Sequence, residues 1–147
     1  MKILSPSDKK RLLEQLNEQY GIEHLPFIVL KFGEEKLRIF TSNLSNNELY
    51  NLDTNLRIET AGLYFAKWEV DKLRLTFDGV QFFKSQISKN ILEIDNKNAL
   101  EWLKGNELYI QSDKNWKILK NNNELLGCGK ATGEKITNFM AKERRIR

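Results

Sequence analysis

The sequence predicts an α+β fold in two parts, a small α/β N-terminal module over residues 1–87 and a mainly β unit over residues 88–147. Three observations predict it. An amphipathic helix with capping residues at both ends opens the chain, strand-like runs bounded by turn residues follow, and after a polar stretch at 85–90 the pattern restarts as strand, helix and strands. A chain of 147 residues, 40% apolar and 30% charged, is folded and globular in composition. Each half alone would bury too little surface for robust stability, so the halves are expected to pack as one rigid pair.

The elements follow in order. Ser5-Pro6-Ser7-Asp8 places a cap, a proline at the first helical position and an acid at the third, ahead of Leu12, Leu13, Leu16 and Tyr20, so a helix runs from about 6 to 20 and Gly21 closes it. PFIVLKF and KLRIFTS, separated by Gly33-Glu34-Glu35, read as a hairpin. Ser45 to Glu48 caps a short helix through Leu49, Tyr50 and Leu52, and strands follow at NLRIET, GLYFAKWEV and KLRLTF, the last two joined by a turn at Asp71-Lys72. Asp78 begins a helix carrying Val80, Phe82, Phe83 and Ile87, although the Phe82-Phe83 pair fits a strand equally well. In the second half, ILEID is a strand, Asn96 caps a helix with Ala99, Leu100 and Leu103 on one face and Gly105 at its end, and NELYIQS, WKILK, ELLGCGKAT and KITNFM are strands.

Several function classes are excluded by composition. The longest apolar runs fall far short of the roughly 20 residues of a membrane helix, and MKILSPSDKK turns polar at once, so a soluble cytoplasmic protein without a signal peptide is expected. One cysteine and one histidine make neither a disulfide nor a structural zinc site. His24 beside Pro26 reads as a loop residue, and Glu34, Glu35 and Asp71 as solvated turn residues. Gly127-Cys128-Gly129-Lys130 is followed by Ala131 where a phosphate loop requires Ser or Thr, and reads as a strand with a bulge or a close backbone approach. Cys128 is then a small, inert strand residue. Trp68, Trp102 and Trp116, with Tyr64, Phe65 and Phe77, sit inside apolar patterns and read as core or inter-unit packing. No enzyme, metal or cofactor is expected.

Charge is concentrated at one end. Residues 1–129 hold 18 Lys/Arg and 18 Asp/Glu, so the formal net charge of +4 comes from 130–147, where Lys130, Lys135, Lys142, Arg144, Arg145 and Arg147 stand against Glu134 and Glu143. Such a cluster suits phosphate oxygens, which position a nucleic acid without reading its bases. Thr137 and Asn138 offer hydrogen bonds, and Phe139 is the nearest aromatic that could stack on a splayed base. The plain alternative makes Ile136 and Phe139 packing residues and the basic cluster ordinary solvated charge.

The order strand, helix, four strands, carried by ALEWLKGNELYI, the NNN turn, LLGCGKATGEKITNFM and the closing KERR, resembles a PUA domain, a small RNA-binding β-barrel. The ending is similar to the PUA-like region of NOP2/Sun-type RNA cytosine-5 methyltransferases. AGLYFAKWEVDKLRLTFDGVQFF more loosely resembles the pre-PUA module of the NIP7 type. The resemblance implies a PUA-like β-barrel over 88–147, with RNA approached by Gly105, Gly127, Gly129, Lys130, Lys135, Asn138, Lys142, Arg144, Arg145 and Arg147. It implies a non-catalytic protein that binds structured rRNA or tRNA in RNA modification or ribosome biogenesis, with an RNA methyltransferase or ribosome assembly factor as partner. The helix-to-strand segment here is only Lys104-Gly105-Asn106, shorter than the Gly-Val-rich contact segment of many PUA domains. The alternative is an interaction scaffold or accessory methyltransferase subunit with no RNA affinity of its own.

Overall fold

The structure is a computed structural model that describes residues 2–40 and 62–146. The short helix expected at 45–52, the strand expected at 55–60 and Arg147 lie outside the described residues.

Helix α1 spans Pro6–Tyr20 with the caps its sequence encodes: Ser5 Oγ accepts from the Asp8 amide at 3.2 Å, and Gly21 takes the left-handed conformation. Leu12, Leu16 and Tyr20 form its buried stripe. That stripe packs on a sheet of β1 (Lys2–Ile3), β2 (Ile28–Phe32), β3 (Lys36–Phe40), β4 (Leu63–Glu69) and β5 (Lys72–Leu75), paired antiparallel in that order. Strand β1 was not legible in the sequence; two residues carry no periodicity, and it forms because Lys2 and Ile3 pair with Lys31 and Leu30. The expected β2–β3 hairpin is present. The β4–β5 turn is Val70-Asp71, one residue earlier than expected, because Lys72 pairs with Glu69 and so belongs to the strand. At the end of α1, the buried Gln19 side chain accepts from the Leu73 amide at 2.7 Å and donates to the Leu73 carbonyl at 3.1 Å, tying the helix to the edge strand.

Helix α2 covers Phe77–Phe82, with Thr76 as its cap in place of Asp78. Thr76 Oγ1 accepts from the Gly79 amide at 2.9 Å and donates to the Tyr64 carbonyl at 2.7 Å, so a hydroxyl that can do both outcompetes a carboxylate that can only accept. The stretch 85–90 is polar but not loose: Ile87 is buried, Ser88 donates its amide to the Tyr20 carbonyl at 2.9 Å, and Asn90 Nδ2 reaches the Gln19 carbonyl at 2.6 Å.

The second sheet holds β6 (Ile91–Glu93), β7 (Trp116–Asn121), β8 (Glu124–Ala131) and β9 (Ile136–Asn138), with β6 parallel to β7 and the other pairs antiparallel. Helix α3, Asn96–Leu103, is capped by Asp95 in place of Asn96, both short polar side chains suited to the position. Its buried face runs through Ala99 and Trp102, whereas Leu100 is exposed, because the indole and not the leucine meets β8.

The closed β-barrel expected of this half is not found. A barrel needs continuous pairing around its circumference, and NELYIQS, expected as a strand, supplies a single bridge in which Leu108 and Ile136 exchange bonds of 3.2 and 2.7 Å. The sheet stays open, with β6 and β9 as its edges.

The two halves share one core. Trp116, Ile118 and Cys128 pack in the same buried cluster as Leu16, Tyr20, Leu73 and Phe83. A second, smaller cluster around Trp102, Leu119 and Ile136 belongs to the second half. Among the described residues no helix is long and apolar enough to cross a membrane.

Candidate nucleic-acid interface

Two places carry the chemistry, and Trp102 lies between them. The first is the C-terminal end of α3. Gly105 has φ 93°, a conformation that suits glycine, and the Arg145 side chain lies over it, so that a Cβ there would collide with Arg145 Nε. Arg145 Nε donates to the Met140 carbonyl at 3.0 Å. Asn138 Nδ2 donates to the carbonyls of Trp102 at 2.9 Å and Asn106 at 3.0 Å, and its Oδ1 accepts from the Met140 amide at 2.8 Å. Lys135 Nζ is 3.1 Å from Glu107. Asn138 and Arg145 tie β9 and the chain after it to the helix end; the Asn138 amide is engaged at both its oxygen and its nitrogen, and Arg145 through Nε.

The second place is a cavity of about 280 Å³ where the β5–α2 corner meets β8 and the segment after β9. Trp102, Cys128 and Met140 contribute apolar surface to it, and Tyr64, Phe77 and Phe139 contribute rings. Trp102 Nε1 is satisfied by the Leu126 carbonyl at 2.8 Å. The indole fits because β8 is locally irregular: its register with β7 slips between Ile118 and Lys120, and Gly127, at φ 122°, occupies the extra position. At Gly129 a Cβ would stand 2.5 Å from Trp102, so any side chain there would displace the ring.

Cations and aromatic rings alternate around this cavity. The Arg74 guanidinium sits 5.0 Å from the centre of the Phe139 ring, while its Nε is 3.2 Å from Glu69. Arg144 reaches Asp78 at 2.8 Å across the mouth, joining the two units. Lys36 and Arg38 lie 5.7 and 5.5 Å from the Tyr64 ring. Phe139 packs on Trp116 at 5.5 Å, and Lys130 lies 5.8 Å over Trp116. Such contacts are electrostatically favourable and leave the cation's N–H groups able to meet an anion. Burial pushes the Cys128 thiol up to about 11, and burial likewise raises the Tyr20 phenol well above its ordinary value. Cys128 is therefore a protonated wall of the cavity and not a nucleophile at neutral pH.

Residues 89–146 match the family described as the methyltransferase RsmF PUA domain. This segment is a PUA-type domain, a module associated with RNA binding and RNA-modification complexes. The match lies within the second unit and covers less than half of the chain. No curated protein matches the chain. Among the described residues, no three His, Cys, Asp or Glu side chains gather as a metal site would require.

The PUA segment divides the site residues expected from sequence. Gly105, Lys135, Asn138 and Arg145 gather at or near the end of α3; Gly127 and Arg144 line the cavity; Lys130 flanks it on Trp116; Gly129 packs under Trp102; Lys142 is exposed in a short 3-10 helix at Lys142–Arg144. Sequence reasoning missed Arg74, Tyr64 and Asp78, which belong to the first unit. The available signal was the alternation of β5, where Leu73 and Leu75 are buried and Arg74 must face the other way.

Proposed function

We propose that the protein is a non-catalytic RNA-binding protein that acts in rRNA or tRNA modification or ribosome biogenesis, in the cytoplasm. The observation that carries this reading is the match of residues 89–146 to the PUA domain of an RNA methyltransferase family. The concentration of the net positive charge in 130–147 supports it, since phosphate contacts dominate nucleic-acid affinity. In this reading residues 88–147 form the RNA-binding unit, Lys142, Arg144 and Arg145 contact phosphates, and residues 1–87 serve as a pre-PUA module of the NIP7 kind. An RNA methyltransferase or a ribosome assembly factor is the protein partner.

The test is titration of a structured rRNA or tRNA fragment at several salt concentrations. Binding should weaken smoothly with salt, and Lys142→Glu with Arg145→Glu should weaken it further without unfolding the protein. Absence of binding by folded protein at low salt would overturn the reading. A second reading, an accessory subunit without RNA affinity, draws on the pairing of Arg144 with Asp78 and of Lys135 with Glu107. It requires a stable complex with a protein partner and no RNA binding.

A further inference from the structure

We propose that the cavity between the two units accepts one unpaired base of a single-stranded RNA segment, whose backbone runs across both units. The proposal rests on the RNA-binding reading above and assigns its specificity for strand state to residues of both halves.

Size comes first. About 280 Å³ lies at the lower edge of the roughly 300–1,000 Å³ typical of small-molecule sites, which suits one planar ring system. The chemistry of the walls agrees. Phe77, Phe139 and Tyr64 present rings, and Arg74 and Arg144 present planar guanidinium groups, the two kinds of surface on which an extruded base stacks. Phe139 keeps 40% of its surface exposed despite its contacts with Arg74 and Trp116, so ring surface remains for a ligand. The Arg74 side chain is only 15% exposed, and Nε is its one hydrogen-bonding atom among the described residues; its Nη groups remain for an acceptor.

The surroundings distinguish a strand from a free ring. Tyr64, which lines the cavity, carries Lys36 and Arg38 beside its ring, and Phe139, which also lines it, packs on the Trp116 that carries Lys130. Among the described residues Lys36 and Lys130 have no carboxylate partner. Neighbouring phosphates of an inserted nucleotide thus find cations on either flank, drawn from the first unit on one side and the second on the other. A double helix keeps its bases stacked inside and cannot deliver one without opening.

The experiment uses the full chain and an RNA hairpin with 2-aminopurine at one unpaired loop position, beside the same sequence as a perfect duplex and the free 2-aminopurine riboside. The expected result is a saturable change in probe fluorescence with the hairpin and none with the duplex. The riboside should bind at least 100-fold more weakly than the hairpin. Phe139→Ala should weaken hairpin binding about tenfold or more, consistent with the stacking free energy of one base. Phe139→Trp should restore it, and Arg74→Gln, which leaves every aromatic in place, should reproduce the loss. Hairpin binding with an unchanged probe signal, or Phe139→Ala and Arg74→Gln at parental affinity, would overturn the base pocket and leave the RNA-binding reading standing. Riboside binding as tight as the hairpin's would overturn the strand assignment, and absence of all RNA binding would overturn both readings.

Discussion

The end of α3 and the cavity beside it share a wall, Trp102, yet they use polar groups in opposite ways. At the helix end, Asn138 and Arg145 direct side-chain donors onto backbone carbonyls, and Lys135 meets Glu107. Around the cavity, Arg74, Lys36 and Lys130 rest against rings instead. The Asn138 amide, engaged at both its oxygen and its nitrogen, is used up by folding, whereas a cation over a ring, or an arginine held through Nε alone as Arg74 and Arg145 are among the described residues, keeps N–H groups for an anion. A basic residue's value for recognition is thus set by what holds it.

Replacement of Trp102 breaks both regions together. The indole is 1% exposed, and Trp102→Ala should cost about 3–5 kcal/mol in chemical denaturation, with loss of the cavity's shape. Asn138→Ala attacks the helix end alone: it leaves the Asn106 carbonyl and the Met140 amide without their side-chain partner, removes one of the two donors to the Trp102 carbonyl, which keeps the Gly105 amide, and should cost about 1–3 kcal/mol. Its effect on RNA affinity at a temperature where the variant is folded should be small compared with that of Phe139→Ala.

The cavity wall carries a pH signature of its own. The Cys128 thiol is raised from 9.0 to about 11 by burial, with the Tyr20 hydrogen bond and Arg74 opposing. Between those values the unfolded chain loses the thiol proton while the folded protein keeps it, so stability falls as pH rises from about 9 towards about 11. Tyr20, also raised, adds to the fall from about pH 10 upward. In denaturation measured at successive pH values, Cys128→Ala should flatten the curve in the lower part of that window and leave the later fall in place.

The gentlest change sharpens the contrast most. Lys36→Ala with Lys130→Ala should alter stability by less than about 0.5 kcal/mol per site, because both side chains are exposed. The slope of log affinity against log salt should nevertheless become shallower by about 1.4, the value for two phosphate contacts on a single strand. Replacing Lys10 and Lys114, exposed lysines away from both regions, should leave that slope unchanged.

Helix α1 was fully legible because Ser5, Pro6 and Gly21 encode its ends within a few residues of the elements they terminate. At α3 the same logic placed the helix but missed the cap by one residue, since Asp95 and Asn96 both suit the position, and misjudged the buried face, since the irregularity of β8 decides that Trp102 turns inward. The barrel was illegible for a related reason: Leu108 and Tyr109 alternate like strand residues, but pairing needs a partner edge, and β9 is three residues long. The basic cluster was visible as composition, and its division between engaged and available groups was not. Tyr64, Arg74 and Phe139 meet only after both sheets form, and nothing local marks the three as neighbours.

The shared core also governs the order of events at the ribosome. Tyr20 contacts Cys128 across 108 residues of sequence, and Leu16, Phe65 and Leu73 share a cluster with Trp116 and Ile118. Synthesis delivers the first sheet and its helix well before β7 and β8 emerge, so the earlier half waits with an apolar flank uncovered until the later strands arrive. Contacts of such span close slowly. The nascent chain therefore passes through an interval in which a holding chaperone, rather than its own unfinished partner strands, is the natural cover for that flank.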